Sequence, residues 1–515
     1  MSRQVVHLLE RAQAGDALEV RAVAIDLLAA DPCAAHHFVN VVTYIAEADP
    51  SGSLAALEPM LAAAVREGSR GWQACALGTR AAERLKLGAS DPAGYDIDAS
   101  LRDLVAAERL TSGGSDPVAA VNAAVAIAIG WYELRLYELV EPQFRAAHAM
   151  SAADREQNGN CSMWLFNLAE MHLRWALELY QVGQVEAAES HTATAEKYAL
   201  QAADEASGAD AATWRDMALL AAACARADRH DPGGAARSIS RLMPLLQDRG
   251  ISPALLAYCR PFYGVALSRS GHSDEALAVM RQAVAELPPE ADWLVTASTH
   301  RTYAVLLTKA GSPDARSTLA YGDALAATLW LQRQQTLHAA ETIRDLEALR
   351  ARHEQVARAA DLDPLTGIAN RRAFDRAVEE ARGRATVLVI DTDKFKQIND
   401  TRGHAAGDDA LRAIASALAA QAREEDLIAR LGGDEFGALL PGVGSATGAE
   451  IARRMVRAVR ELPDCPATVS IGVADGPALE LRDTLIRADA AMYAVKRSGG
   501  DGVEVCASGT AARAA

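Results

Sequence analysis

The sequence predicts a multidomain chain: an all-α N-terminal region, a connecting helix, and a C-terminal α/β domain. Three observations carry this. From residue 1 to about 322, apolar residues recur at three- and four-residue spacing, broken by short Gly, Pro, Asp and Ser clusters. Residues 323–360 contain neither Gly nor Pro and are rich in Gln, Arg, Glu and Ala. Beyond Asp361, apolar β-branched runs alternate with helical patterns. The composition agrees: 50% of the 515 residues are hydrophobic but 5% are aromatic, which favours closely packed helices over a large β-sandwich.

The formal net charge of −16 argues against non-specific binding to nucleic acid or anionic membranes. It leaves room for an anionic substrate whose charge is met by metal ions and a few local cations. The seven cysteines are scattered and form no C-x-x-C pair, which fits unpaired thiols in a reducing cytoplasm, without a disulfide framework or a zinc motif. Charges run through the first turns, so no signal peptide is expected. The most apolar stretch, Val118–Trp131, is shorter than the ~20 residues of a membrane span. The expectation is a soluble, cytoplasmic protein.

Within the helical region, one unit stands out: Gly264, Leu267, Gly271, Ala276, Met280, Ala283 and Pro288. Ala276 and Ala283 lie seven apart on one helix face, where small side chains let a partner helix approach. Leu179, Gly183, Ala188 and Ala195 repeat the offsets with Trp175 one residue out, and Tyr303, Leu307 and Gly311 match a first helix alone. These units resemble the tetratricopeptide (TPR) repeat, in degenerate form; an irregular helical domain is the alternative. The resemblance implies a sensor or interaction domain over 1–322, taking a protein or peptide partner in its concave groove.

In residues 323–360, Leu346, Leu349, His353 and Val356 keep three-four spacing, with Leu325, Gln332 and Ala339 seven-residue steps upstream. This predicts a coiled-coil signalling helix; a single unpaired connecting helix remains open.

The last domain, 361–507, reads in order. The strand ATVLVID ends in Asp391, a helix spans His404 to Arg423, and LIARL-GGDE-FGALLP forms a hairpin whose tight turn needs glycine. A helix from Ala446 to Leu462, the strand ATVSIGV, a helix from Ala478 to Arg497 and the strand VEV follow; residues 508–515 are read as a disordered tail. Asp391 ends a buried strand while Asp434 and Glu435 sit at the hairpin tip. A buried carboxylate is costly unless paired or bound to a cation, and oxygen ligands of this kind suit Mg²⁺ with substrate phosphates. Asp393 points the same way if the strand continues. By chemistry alone this is a two-metal phosphoryl-transfer hypothesis, with solvated turn acids as the alternative.

Residues 363–375 (DPLTGIANRRAFD), 391–408 (DTDKFKQINDTRGHAAGD) and 430–436 (RLGGDEF), followed by VSIGVA and ADAAMYAVKRSGG, resemble the GGDEF domain of diguanylate cyclases. The resemblance implies a polymerase-palm-like (nucleotidyl-cyclase-like) fold and condensation of GTP into the bacterial second messenger cyclic di-GMP, with pyrophosphate released. It assigns Mg²⁺ (or Mn²⁺) to Asp391, Asp434 and the Thr392 carbonyl, and activation of the attacking 3′-hydroxyl to Glu435. Asn399 and Asp408 would read guanine, His404 would line the nucleoside pocket, and Gly432 and Gly433 would let substrate approach the backbone. The backbone at Lys394 and Phe395 and the side chain of Lys496 would meet the β/γ-phosphates. Asp363, Arg371 and Arg372 match the turn joining the regulatory helix to the domain.

One departure is Gly500, where the family usually carries Arg or Lys; Arg497 faces another direction on its helix. Arg423-Glu-Glu-Asp426 resembles the family's R-x-x-D inhibitory site for product, with Arg454 contributing from the next helix; an ordinary i,i+3 ion pair is the bland alternative. Since each such domain binds a single GTP, the resemblance implies a homodimer for catalysis. The leading expectation is a diguanylate cyclase regulated by its helical repeats. The alternatives are a non-catalytic GTP or cyclic di-GMP receptor, supported by Gly500, and a TPR scaffold in which the cyclase is incidental.

Overall fold

The structure, a computed structural model, describes residues 2–90, 96–111, 116–153, 161–207, 210–287, 292–463 and 465–506. Pro288 and the tail 508–515 lie outside the described residues. The chain divides into two compact units, Met1–Leu346 and Glu347–Ala515, each taken by itself below.

The first unit is helical throughout its described residues. The Asp-Pro breaks in the sequence are helix starts. Asp49, Asp116 and Asp231 each accept a first-turn backbone N–H, and Pro50, Pro117 and Pro232 occupy the first helical position, where no N–H is needed. Gly183, Gly271 and Gly311 end helices with φ of +75°, +88° and +91°. After each, the next amide bonds back to the carbonyl of Leu179, Leu267 or Leu307, a closure that glycine's conformational freedom permits.

The strongest predicted unit is a helical hairpin, Cys259–Arg269 and Ser273–Ala285, with Ala276, Met280 and Ala283 buried. A Cβ on Gly264 would fall 2.6 Å from Met280, so the close approach requires glycine. The third unit lacked a legible second helix for a physical reason. Its partner is the first part of one long helix, Pro313–Ala360, which starts ten residues before the change in composition at 323.

Up to Leu346, this linker helix docks on the helical unit along a stripe of its own. Ala326, Arg333 and Ala340 are buried, with Leu337 and Ile343 half-buried beside them. Of the seam read from the sequence, Ala339 is half-buried against the same core, while Leu325, Gln332, Leu346, Leu349, His353 and Val356 are exposed. Arg333 has a fully buried side chain; its Nε donates to the Arg135 carbonyl at 2.7 Å, its guanidinium pairs with Glu138, and it lies over Tyr137, Trp175 and Trp330. Arg344 grips Glu108 through two hydrogen bonds of 2.7 and 2.5 Å.

The second unit is a six-stranded mixed sheet covered on both faces. Its elements are β1 (Ala369–Asn370), α1 (Arg371–Glu380), β2 (Arg384–Asp393), α2 (Phe395–Arg402), α3 (His404–Ala419), β3 (Leu427–Gly432), β4 (Glu435–Pro441), α4 (Ser445–Arg460), β5 (Thr468–Pro477), α5 (Leu481–Arg497) and β6 (Gly502–Val505). The strand order is β1-β3-β4-β2-β5-β6, with β1–β3 and β5–β6 parallel and the other neighbours antiparallel. Alternation along β2 divides the core: Leu388 and Ile390 pack with residues of α3 and α4, Val387 with α1 and Val389 with α5.

Two elements differ from the sequence reading. The predicted helix 404–423 ends at Ala419, so Arg423 lies in a turn, and the separate helix α2 precedes it. β1 is two residues long, too short for a periodic signal.

Candidate active site

β2 is the central strand, and it delivers Asp391 and Thr392 to the sheet's edge. Asp391 stands opposite Glu435 on β4 and Ser470 on β5. The β3–β4 hairpin bulges between Arg430 and Gly432, and Gly432 (φ +150°) and Gly433 (φ +55°) turn the chain so that Asp434 follows at the tip. The Thr392 amide and hydroxyl both donate to the Asp434 carbonyl at 3.1 Å. Asp391, Thr392, Asp434 and Glu435 are thereby fixed together by backbone pairing.

Lys496, in the last turn of α5, forms an ion pair with Asp391 Oδ1. That oxygen is shut off from solvent and has no directed hydrogen bond among the described residues. Burial raises the Asp391 carboxyl above the usual carboxylate range; Lys496 pulls it back, and Asp434 and Glu435 push it up again by repulsion. Like charge crowded around Asp391 is an arrangement that a divalent cation relieves. The residues fit Mg²⁺ by the chemistry of the donor set: hard oxygens from Asp391, Asp434 and the Thr392 carbonyl.

Asp393 does continue β2, but its carboxylate is committed elsewhere. It accepts from Thr468 Oγ1 (2.8 Å), Ser470 Oγ (2.7 Å) and the Asp501 amide (2.8 Å). Gly500 has φ +78°, and a Cβ there would lie 2.8 Å from Asp393 Oδ1. The departure at Gly500 therefore has a structural cause: the loop closes on Asp393. Arg497 is exposed.

Lys394 adopts left-handed φ and ψ (55°, 26°) and is the one residue between β2 and α2, so that helix's N-terminal turn begins directly after the end of β2. Phe395 packs partly into the core, and Asn399 sits one turn on. A Cβ on Gly407 would fall 2.0 Å from Asn399 Oδ1, so Gly407 lets α3 pass close to Asn399, and Asp408 follows it directly. His404 opens α3, exposed, after Gly403 with φ +83°.

Arg430 was visible in the RLGGDEF string but its role was not. Its guanidinium donates to the Gly433 carbonyl (3.0 and 2.8 Å) and to both Asp363 oxygens (3.1 and 3.3 Å). Burial pushes the Asp363 carboxyl up, but the Thr366 hydroxyl and amide and Arg430 together hold it below its ordinary value. Asn370 closes the same turn, capping α1 through the Ala373 amide and donating to the Ala360 carbonyl at 2.7 Å. Arg372 pairs with Asp361 at 3.0 Å, while Arg371 faces its own helix neighbour Asp375.

Arg423 and Asp426 close one turn: the Asp426 carboxylate accepts the Arg423 amide at 2.9 Å, so the i,i+3 helical ion pair does not form. The Arg423 side chain is exposed. Arg454 from α4 donates to the Gln421 carbonyl at 2.9 Å, bringing it beside this turn.

A mixed sheet with helices on both faces and acids gathered at the end of its central strand defines an α/β domain of the nucleotidyl-cyclase-like class. Residues 360–502 match the family described as "Diguanylate cyclase, GGDEF domain", and this part of the chain is a GGDEF domain. The chain is 35% identical over 172 residues to the probable diguanylate cyclase DgcE of Escherichia coli (strain K12), spanning 30% of this chain and 16% of that protein. It is 40% identical over 177 residues to the diguanylate cyclase TpbB of Pseudomonas aeruginosa, spanning 30% of this chain and 40% of that one. It thus covers less than half the length of these relatives. Among solved structures, the coiled coil and GGDEF domain of DgcB from Caulobacter crescentus, in complex with c-di-GMP, is 34% identical, covering 33% of this chain and 97% of that one with a TM-score of 0.30. Among the described residues, no helix is long and apolar enough to cross a membrane.

Proposed function

We propose that this chain is a diguanylate cyclase, joining two GTP molecules into cyclic di-GMP with release of two pyrophosphates. The observation that carries the reading is the cluster of Asp391, Asp434 and Glu435, held by the β2–β4 register, in which the buried Asp391 is paired with Lys496 and still raised by burial and by its two acidic neighbours. Mg²⁺, or Mn²⁺, would be held by Asp391, Asp434 and the Thr392 carbonyl, and supplies polarisation of phosphate oxygens and charge for the leaving pyrophosphate.

The chain's own groups do the rest. Glu435 takes the proton of the attacking 3′-hydroxyl. Asn399 and Asp408 present an amide and a carboxylate to the guanine edge, with His404 lining the pocket. The amides at Lys394 and Phe395 and the Lys496 ammonium bind the β/γ-phosphates, once Lys496 leaves Asp391. Gly432 and Gly433 keep the turn open to the substrate. Each domain offers one set of these groups, so two copies must face each other, and catalysis belongs to a homodimer.

The helical unit is read as the input, because Arg333 and Arg344 hold it to the helix that continues to Ala360. Its repeats take a protein or peptide partner. Cyclic di-GMP inhibits by binding Arg423, Asp426 and Arg454.

The test is incubation of the full chain with GTP and Mg²⁺ and chromatography of the products. Cyclic di-GMP and pyrophosphate are expected. A dimeric preparation that binds GTP but makes no product would overturn the cyclase reading in favour of a receptor. Arg423→Ala is expected to relieve product inhibition at least tenfold; unchanged inhibition by titrated cyclic di-GMP removes that site.

A further inference from the structure

We infer that His148, Cys161 and Glu205, in the helical unit, form a binding site for one zinc-class divalent ion. The three side chains come from three places in the fold. His148 lies in the helix Tyr137–Ala153, Cys161 precedes the helix Ser162–Gln181, and Glu205 is the last residue of Val185–Glu205. One atom of each lies within 4.8 Å of the others.

The distances fit a shared ion. His148 Nε2 is 3.0 Å from Glu205 Oε2, and Cys161 Sγ is 3.7 Å from the same oxygen. Around a tetrahedral ion with bonds of about 2.0–2.3 Å, neighbouring ligand atoms stand roughly 3.3–3.6 Å apart, so shifts of a few tenths of an ångström bring these two pairs to that spacing, and the His148–Cys161 pair lies within 4.8 Å. The other Glu205 oxygen accepts from Gln201 Nε2 at 2.9 Å, an outer contact that fixes the carboxylate's orientation. The Cys161 side chain is buried, while those of His148 and Glu205 retain 18% and 21% exposure, so an ion can reach the site from solvent.

The donor set chooses the metal. One imidazole nitrogen, one sulfur and one carboxylate oxygen suit Zn²⁺ or Co²⁺, and a sulfur ligand disfavours Mg²⁺ and Ca²⁺. Binding converts the Cys161 thiol to a metal-bound thiolate and releases its proton to solvent. His148 binds neutral through Nε2 with its proton on Nδ1, and water fills the fourth position. The charges then sum to zero: two positive on the ion, one negative each on thiolate and carboxylate. Sequence spacing hides such a site, because its ligands are 13 and 44 residues apart on separate helices.

A second group, Asp31, Cys33 and His36, also brings ligand-type atoms together. There His36 Nδ1 already lies 2.8 Å from the Asp31 carbonyl at a helix start, an ordinary local contact, and this group serves as the control.

The test uses the full chain, stripped with chelator and free of nucleotide, titrated with Co²⁺ and then Zn²⁺. One equivalent of Co²⁺ is expected to give a thiolate-to-cobalt charge-transfer band in the near ultraviolet, which Zn²⁺ abolishes. The GGDEF carboxylates cannot produce that band. Cys161→Ser is expected to remove it, His148→Gln and Glu205→Gln to weaken Co²⁺ at least tenfold, and Cys33→Ser to leave it intact. Absence of the band in the wild-type chain, or its persistence in Cys161→Ser, overturns the site and leaves an ion pair beside a thiol. The wild-type titration decides this even if a variant folds poorly.

Discussion

In the helical unit, the arginines that fix helix docking sit with opposite-sign partners: Arg333 with Glu138, Arg344 with Glu108, Arg80 with Asp103. At the end of β2, by contrast, Asp391 pairs with Lys496 while Asp434 and Glu435 crowd it with like charge. Both regions contain buried charge, but its arrangement differs in purpose. Paired arginines fix where a helix docks; the crowded carboxylates are where the proposed cation would bind. Where charge in a fold is left unbalanced is therefore a better guide to function than where it is merely buried.

The comparison can be broken by experiment, beginning with the largest effect. Glu435→Gln and Asp434→Asn are expected to lower cyclic di-GMP formation by more than about 1000-fold, roughly 4 kcal/mol of barrier. Their thermal unfolding should not move by more than a degree or two. A large stability loss would make these acids packing groups after all. Arg333→Ala should behave the opposite way. It leaves Glu138 and the carbonyl of Arg135 without a partner and should destabilise the helical unit by about 2–3 kcal/mol, whereas Arg333→Met recovers part of the loss. All seven tryptophans precede residue 331, so their fluorescence during urea unfolding reports this unit alone.

Smaller effects sharpen the contrast inside the GGDEF domain. Gly500→Arg forces a side chain into positive φ against Asp393 and should cost about 2 kcal/mol by far-ultraviolet circular dichroism, with no gain in GTP affinity. Last comes a pH effect. Because the Asp363 carboxyl is held below its ordinary value, its stabilisation is present above the unfolded value of about 3.9 and is lost as pH falls through the folded one. Asp363→Asn should remove that acid-side slope, measured as unfolding midpoint against pH between about 2 and 5; an identical slope in the variant would show that Arg430 does not hold it.

The sequence disclosed the two units unequally. In the GGDEF domain the acids, the glycine turn and the pair Asn399 and Asp408 lie in short contiguous strings, so the fold could be read and the candidate site residues proposed together. What escaped was long-range: Arg430 meets Asp363 across 67 residues, and Asp393 is claimed by Thr468 and Ser470 from β5. Helix α2 escaped because FKQINDTR buries a single residue, Ile398, and shows no apolar stripe. In the helical unit the class was legible and the docking was not. An arginine in a polar stretch reads as a solvated residue, and nothing local says that Arg333 will find Tyr137 and Glu138 nearly two hundred residues earlier, and Trp175 in between. The heptad steps picked out leucines that are exposed, while the docked stripe runs through Ala326, Arg333 and Ala340.

The Gly500–Asp393 contact also bears on how this domain can change by mutation. A basic residue at position 500, as relatives of the resembled family usually carry, is not one substitution away in any useful sense. The backbone there is left-handed, and the space a side chain needs is filled by a carboxylate that three donors hold in place. Asp393 would have to be replaced, or the 498–501 loop rebuilt, before arginine at 500 became neutral. The two positions form an epistatic pair, and the order of changes along any path between the two versions of the loop is set by sterics before function has a say.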